Sequence, residues 1–351
     1  MFLNGRFLGQ RVTGVQRFAR EVIRAGTEQE LWRADTTLLT PREAANPQSF
    51  CGIPVQHVGR SKGHLWEQLE LPRAAGATPL INLCNTAPIL RRRQLVVLHD
   101  AAIAAMPQGF TPAFRLWYRA MIRGYGRLAY RITSVSKFSA AEITRYFGVP
   151  ADRIEIIPES GEHILREQTD YRIHEKHRLE PDSYFLAAGS LAAHKNFGRV
   201  LQAVSRLPPL KQKFVIVGGR NAKVFNSKNI DISGAIEVGY VSDAQLRALY
   251  ERAACFVYPS LYEGFGLPPL EAMTCGCPVL VARAASLPEI CGDAAAYCDP
   301  YDPADIARQL LRLLESGQAR DELRISGRKR AEEWTWSKAA HVLHDIIACT
   351  F

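Results

Sequence analysis

The chain has 351 residues, enough for about two domains that each bury a core of their own. Its 47% hydrophobic and 23% charged residues are ordinary for a globular protein, and the absence of an apolar run of about 18 residues excludes a bilayer-spanning helix. The net charge of +9 is uneven, because residues 1–131 hold 18 Lys/Arg against 8 Asp/Glu; a polyanionic partner or an anionic membrane surface is therefore expected for the N-terminal half.

Met1–Arg20 carries arginines throughout and lacks the apolar centre of a secretion signal, so export is not expected. From there short apolar runs alternate with helical stretches. Val15–Ala25 reads as a helix and LVVLH (95–99) as a strand. Next come ITSVS (132–136), the helix Ser139–Phe147 and IEIIP (154–158). After a polar interval follow YFLAAG (184–189), FVIVGG (214–219), the helix Ala244–Ala253 and CFVYPS (255–260). PVLVA (278–282), AAYCD (295–299) and the helix Ala304–Glu315 complete the series. Several strands lack in/out alternation, as parallel strands covered on both faces do. The alternation predicts an α/β protein with doubly wound sheets. The polar stretch Glu159–Pro181 divides it into Rossmann-like domains at 1–165 and 166–334. The amphipathic segment 335–351 is expected to return to the first domain, and the cleft between two such sheets is the expected ligand site.

Phe114–Arg131 places Arg115, Arg119, Arg123, Arg127 and Arg131 four residues apart, on one stripe of a helix. Trp117, Tyr118, Met121, Ile122, Tyr125 and Leu128 supply apolar partners. This reads either as a helix on an anionic membrane surface or as a solvated face over a core-packed helix. Arg91-Arg92-Arg93 is read as loop. No nucleic-acid reader motif accompanies the basic half, so nucleic acid is not an expected partner. The eight cysteines form no CxxC pair and read as buried free thiols; Cys275-Gly-Cys277 lacks further ligands at metal-site spacing.

The most informative stretch runs from Tyr258 to Met273. A strand ends near Ser260, a Gly264-Phe265-Gly266 turn follows, and Pro268 or Pro269 marks a helix start. Such a turn lacks bulky Cβ atoms and precedes a helix N-terminus, which favours a phosphate-bearing ligand. Glu263 and Glu271 then face one ligand, and carboxylates accept hydrogen bonds from paired hydroxyls. Spacing alone allows these glutamates to be solvated surface charges. His99 ends a strand and precedes Asp100; it reads as a structural hydrogen-bonder or as a site residue, with Asp100 structural or orienting the imidazole.

These residues resemble the E-x7-E motif of family 4 retaining glycosyltransferases, which have the GT-B fold. The similarity extends through TGVQRFARE (13–21), LHD (98–100), SVSKFSAAEI (134–143), AAGSLAAHKN (187–196) and VGYVSDAQL (238–246). The resemblance implies an acceptor-binding first domain and a nucleotide-sugar-binding second domain. It implies that Glu263 binds donor-sugar hydroxyls, aided by the backbone at Phe265, Gly266 and Leu267, and that Glu271 holds the ribose. Lys195 matches the lysine that neutralises the donor diphosphate, and Gly14 the glycine that lets backbone approach it. His99 matches a histidine beside the donor sugar. Ser190 departs from the family, many members of which carry arginine there, and His194 stands where arginine is common. Arg17 and Arg199 are candidate substitutes.

The reaction so implied retains anomeric configuration without a protein nucleophile, the acceptor hydroxyl attacking from the face that the nucleotide leaves. No Asp-x-Asp motif is present, so neither a metal nor another cofactor is expected. Similarity of 13–21 and 98–100 to bacterial mannosyl- and deoxymannosyl-transferases points to a GDP-sugar donor and a lipid-linked or oligosaccharide acceptor. A cytoplasmic location, peripheral on the inner membrane face, is expected. The alternatives are a UDP-sugar donor, a non-catalytic sugar- or partner-binding member, and GT-B chemistry of another kind.

Overall fold

The computed structural model describes residues 1–42, 48–218 and 234–351. Two compact units divide the chain. Unit 1 comprises Met1–Ala105, Ala113–Glu159 and Trp336–Phe351; unit 2 comprises Met106–Pro112 and Ser160–Thr335.

Unit 1 is built on eight strands: β1 Phe2–Asn4, β2 Thr37–Thr40, β3 Ser49–Phe50, β4 Ile53–His57, β5 Leu80–Asn82, β6 Gln94–Leu98, β7 Arg131–Ser134 and β8 Ile154–Ile156. Their order is β3-β4-β2-β1-β5-β6-β7-β8, parallel except for β3 against β4. β1 pairs with β2 on one side and β5 on the other, so the winding reverses there. The helix Gly14–Glu28 packs beside Trp336–Thr350, with Phe18 edge-on to Trp336 at 6.1 Å. His344 Nδ1 lies 2.9 Å from the Leu31 carbonyl, which fastens the last helix to this unit.

Unit 2 carries β9 Tyr184–Ala188, β10 Lys213–Val217, β11 Ile236–Gly239, β12 Cys255–Tyr258, β13 Val279–Ala282 and β14 Ala296–Cys298. The order β11-β10-β9-β12-β13-β14 is parallel throughout. Every residue of β9, β12 and β13 is buried, which accounts for their unbroken apolar runs. One core joins Phe185, Val200, Phe214, Ile216, Val257, Leu280 and Leu310. The helix Asp243–Arg252 starts on a reciprocal cap: Ser242 accepts from the Gln245 amide and Gln245 accepts from the Ser242 amide, each at 3.2 Å. Winding reverses between β10 and β12, on either side of β9.

All eight apolar runs read as strands are strands, although Gly219 of the 214–219 run lies outside the described residues. Two details of the basic segment are corrected. The helix spans Pro112–Leu128, and Arg131 is in β7, where it pairs with Glu155 at 3.1 Å rather than extending the arginine stripe. Gly124 and Gly126, weak helix formers, are there for close packing. A Cβ would come within 2.5 Å of Ile89 at Gly124 and 2.8 Å of Val149 at Gly126. The Glu159–Pro181 interval is folded, with a 3-10 turn at Glu162–Leu165 and a helix at Arg172–His177. All eight thiols are free, but not all are buried. Cys255, Cys275, Cys277, Cys291 and Cys298 are buried, Cys51 and Cys84 half-buried, and Cys349 exposed.

Candidate functional site

Two segments leave the carboxyl ends of β9 and β12, the strands flanking the reversal in unit 2. After β9 come Gly189, Ser190 and a 3-10 turn at Ala193–Lys195. After β12 come Pro259, Ser260 and Leu261. They are tied together: the Leu261 amide and the Ser260 hydroxyl both donate to the His194 carbonyl, at 2.7 and 3.1 Å. Asn196 is buried and donates to the carbonyls of Pro259 and Pro300 at 3.0 and 2.7 Å. The turn so fixed lays the Lys195 stem on Gly189 and brings its ammonium 2.7 Å from Glu263 Oε1 and 2.6 Å from the Tyr258 hydroxyl.

This is a mostly buried ion pair at a sheet's switch point. Burial alone raises the Glu263 carboxyl, but the Lys195 charge, with His194 and hydrogen bonds behind it, outweighs that and holds it below the ordinary carboxylate range. The Tyr258 hydroxyl is pushed well above its ordinary value, first by burial and then by Glu263, with Glu271 adding a smaller share. His194 is held down at about 4 by burial and by the adjacent Lys195. It is therefore uncharged near neutral pH and does not supply the positive charge of the arginine common at its position.

The Gly264-Phe265-Gly266 turn hands the chain to the helix Leu267–Thr274, with Pro268 in its first turn. Ser286 donates to the Phe265 carbonyl at 2.6 Å and to the Glu263 carbonyl at 3.1 Å, which fixes the turn. Gly266 adopts φ +116, and a Cβ there would meet Leu287 at 2.9 Å, so both conformation and space require glycine. Phe265 is buried edge-on against Trp334 at 5.5 Å, and Leu267 opens the helix. One turn on, Glu271 is 7% exposed. Its Oε2 accepts from the Tyr250 hydroxyl at 3.2 Å, and its Oε1 lies 2.9 Å from His163 Nε2. His163 is buried, its Nδ1 3.2 Å from the Ser160 carbonyl. Gly161 sits directly on the middle of this helix, where a Cβ would meet Leu270 and Glu271 backbone atoms at 2.7 Å.

Sequence reasoning missed Tyr250 and His163. Tyr250 lay inside an amphipathic helix and His163 inside the polar interval, and neither carries a local motif. Arg199 is already engaged: it donates to Asn196 and to the Pro300 carbonyl and lies over Tyr301 at 5.3 Å. Ser190 is half-buried just beyond β9.

Gly14 and His99 belong to unit 1. Gly14 is the first residue of its helix, with nothing within 4 Å of where a Cβ would stand. Arg17 pairs with Glu21 on the same helix at 3.6 Å. His99 follows β6 and is buried against Phe18, ring centroids 4.9 Å apart. Its Nδ1 lies 3.1 Å from Glu159 Oε1 and its Nε2 2.9 Å from the Leu83 carbonyl. Both ring nitrogens thus face protein acceptors. Glu159, rather than Asp100, orients the imidazole; Asp100 accepts from the Ala102 amide at 2.8 Å. Among the described residues no helix is long and apolar enough to cross a membrane.

The family described as "Glycosyl transferases group 1" matches residues 170–330, which include Ser190, Lys195, Glu263 and Glu271. O-antigen chain mannosyltransferase B of Escherichia coli is 34% identical over 256 residues, covering 70% of this chain and 67% of that protein. The serotype-specific mannosyltransferase WbdA of Escherichia coli is 31% identical over 255 residues, covering 67% of this chain but 30% of that much longer protein. In fold, sucrose-phosphate synthase from Thermosynechococcus elongatus matches 99% of this chain and 98% of its own, with a TM-score of 0.74 at 16% identity. Two Rossmann-like α/β units of this kind define the GT-B fold. The chain belongs to the group 1 glycosyl transferases, and mannosyltransferases of O-antigen synthesis are among its relatives.

Proposed function

We propose that the chain transfers a mannosyl or deoxymannosyl group, with retention, from a GDP-activated donor to a glycan or lipid-linked acceptor of surface polysaccharide synthesis. The observation that carries this reading is the Lys195–Glu263 pair at the switch point of unit 2, with Glu271 one turn into the helix that follows. Lys195 and the N-terminus of the helix Leu267–Thr274 meet the donor diphosphate. Glu263, released from its lysine, accepts hydrogen bonds from donor-sugar hydroxyls, beside the backbone of Phe265, Gly266 and Leu267. Glu271, oriented by His163 and Tyr250, uses its remaining lone pairs for the ribose hydroxyls. Gly14, Ser190 and His99 keep the roles the resemblance gives them, His99 as a group fixed by Glu159 and Leu83.

The acceptor oxygen forms its bond to the anomeric carbon as the carbon–phosphate-oxygen bond breaks. That electron pair, and then the acceptor proton, go to the departing diphosphate. Catalysis is positioning and electrostatic stabilisation, with Lys195 supplying charge that a metal supplies elsewhere. Outward-facing Arg123 and Arg127 on the helix Pro112–Leu128 supply contacts for an anionic membrane surface.

A thermal-shift panel of GDP, UDP, ADP and dTDP, with and without magnesium, tests the donor assignment. The expected result is a magnesium-independent rise with GDP, followed by turnover of GDP-mannose or its deoxy relatives. A rise with UDP alone overturns the GDP assignment, and no rise or turnover with any nucleotide overturns the transferase reading.

A further inference from the structure

Unit 1 has a switch point of its own, between β1 and β5, and a polar cluster is built there. Asn4 ends β1 and Asn82 ends β5; both are buried, and Asn4 donates to Asn82 and to Glu67 Oε1, each at 3.0 Å. Glu67 lies on a single π-helical turn, Trp66–Glu70, a rare element that recurs at functional sites. It is wholly buried, and a buried carboxylate is tolerated only when paired. Thr86 donates to its Oε1 at 2.6 Å, Arg6 to its Oε2 at 2.8 Å, and His64 Nδ1 lies 3.2 Å from Oε2. Burial acts to raise this carboxyl, but the His64 hydrogen bond and the Arg6 charge outweigh it and hold it below its ordinary value.

Glu67 is thereby saturated, but Arg6 is not. Its contacts to Glu67, His64 and Thr86 all come from one terminal nitrogen, and its other terminal nitrogen and Nε donate to no acceptor among the described residues. Beside it a narrow recess of about 10 Å³, lined by Phe7 and Leu83 as well as Asn4, Gln10, Cys84 and Thr86, has room for one water or one hydroxyl but not for a sugar ring. On its other side His64 meets the edges of Trp117 and Tyr118, with centroids 5.9 and 5.6 Å away. Trp117 is 40% exposed although its helix packs on the core through Met121, Ile122 and Tyr125.

We infer that Arg6, His64 and Trp117 form a carbohydrate subsite on unit 1 that takes a neutral hexopyranose ring of the acceptor. The inference rests on the transferase reading for the identity of that sugar as acceptor, and on the cluster itself for binding. The ligand is neutral because the guanidinium is already compensated by a carboxylate 2.8 Å behind it, so a phosphate would meet little net positive charge. Directed donors beside an exposed indole suit a sugar, whose hydroxyls accept from the guanidinium while its apolar face lies on the ring.

The test uses the full chain with methyl α-D-mannopyranoside and α-mannobiose as probes, GDP-mannose as donor, and the variants Trp117→Ala, Arg6→Lys and Leu116→Ala. Arg6→Lys keeps a cation against Glu67, and Leu116, 74% exposed on the outer face, is the control. The expected result is saturation transfer from wild type to the mannosides, lost in Trp117→Ala and Arg6→Lys. Acceptor KM rises tenfold or more in both, while kcat, donor KM and the nucleotide thermal shift stay within twofold. Leu116→Ala changes nothing. Should Arg6→Lys fail to fold, Trp117→Ala decides alone. Unchanged mannoside binding and acceptor KM in a folded Trp117→Ala protein overturns the inference, as does an Arg6-dependent thermal shift with inorganic phosphate and none with mannosides. If wild type turns over no donor yet binds mannosides through Trp117, the transferase reading falls and the subsite stands.

Discussion

The Lys195 ammonium and the Glu263 carboxylate are each other's counterion, 2.7 Å apart with side chains 14% and 12% exposed. In the function we propose, each is matched to a different part of one donor, the lysine to its diphosphate and the glutamate to its sugar. Without donor they neutralise one another, so neither charge is buried alone. Donor binding must exchange this pair for two new ones.

Removing one partner should therefore do more than remove a contact. Lys195→Ala leaves Glu263 buried without its cation, and a loss of about 3 kcal/mol in denaturant-measured stability is expected, with transfer slowed about 100-fold or more. Glu263→Gln keeps shape and a hydrogen-bond acceptor but leaves the Lys195 ammonium without its counterion; transfer should fall comparably, with a stability loss of up to about 3 kcal/mol. Activity surviving in Glu263→Gln would remove that residue from the proposed site.

The same pair sets a pH dependence. Because the folded Glu263 carboxyl lies below its ordinary value, its contribution to stability is present above about pH 4.3, the unfolded value, and is lost as pH falls through the folded one. Melting temperature should decline below about pH 4.3 in wild type. The decline should be shallower in Lys195→Ala, where the carboxyl is no longer depressed. Equal slopes for the two proteins between pH 3 and 5 (about the span of carboxylate titration) would show that the pair carries no such linkage.

Tyr250 and His163 hold the two oxygens of Glu271. Tyr250→Phe removes one donor to a carboxylate, worth about 1.5–3 kcal/mol of orientation and stability together. Affinity for GDP should drop about tenfold, and the preference for GDP over its 2′-deoxy analogue should shrink with it. Calorimetric titration of both nucleotides reads this directly. An unchanged preference would mean that Glu271 does not face the ribose.

Gly161→Ala should be more damaging than an exposed loop substitution suggests. Its Cβ would press on backbone atoms of Leu270 and Glu271 at 2.7 Å, which cannot rotate away as a side chain can. Overpacking of this kind costs about 1–3 kcal/mol, and the displaced helix, which carries Glu271, should weaken nucleotide binding as well. Urea denaturation and GDP titration of the variant check both parts.

Much of this was legible in the sequence for physical reasons. The buried parallel strands, such as Cys255–Tyr258 and Val279–Ala282, announce themselves as unbroken apolar runs. Glu263, the glycine turn and Glu271 are local, so their spacing displays the turn and helix that carry them. The strands missed were short or mixed. β1 and β5 have three residues each, β4 contains Pro54 and a polar alternation, and β11 is a half-exposed edge. Pairings across long separations leave no local trace: His163 meets Glu271 over 108 residues and Arg6 meets Glu67 over 61. The partner of His99 was equally hidden, since Asp100 is its neighbour in sequence and Glu159 its neighbour in space.

The cysteines give the molecule an unplanned clock. Five buried thiols, Cys255, Cys275, Cys277, Cys291 and Cys298, all lie in unit 2, and burial pushes Cys255, Cys291 and Cys298 up to about 12. Cys349, by contrast, is exposed on the last helix of unit 1. A maleimide should mark Cys349 within its mixing time and then wait on the others, since only opened structure releases a reactive thiolate. Counting labels on the unit 2 peptides against time by mass spectrometry would thus follow the opening of that unit with no engineered reporter, and a nucleotide that binds there should slow that count.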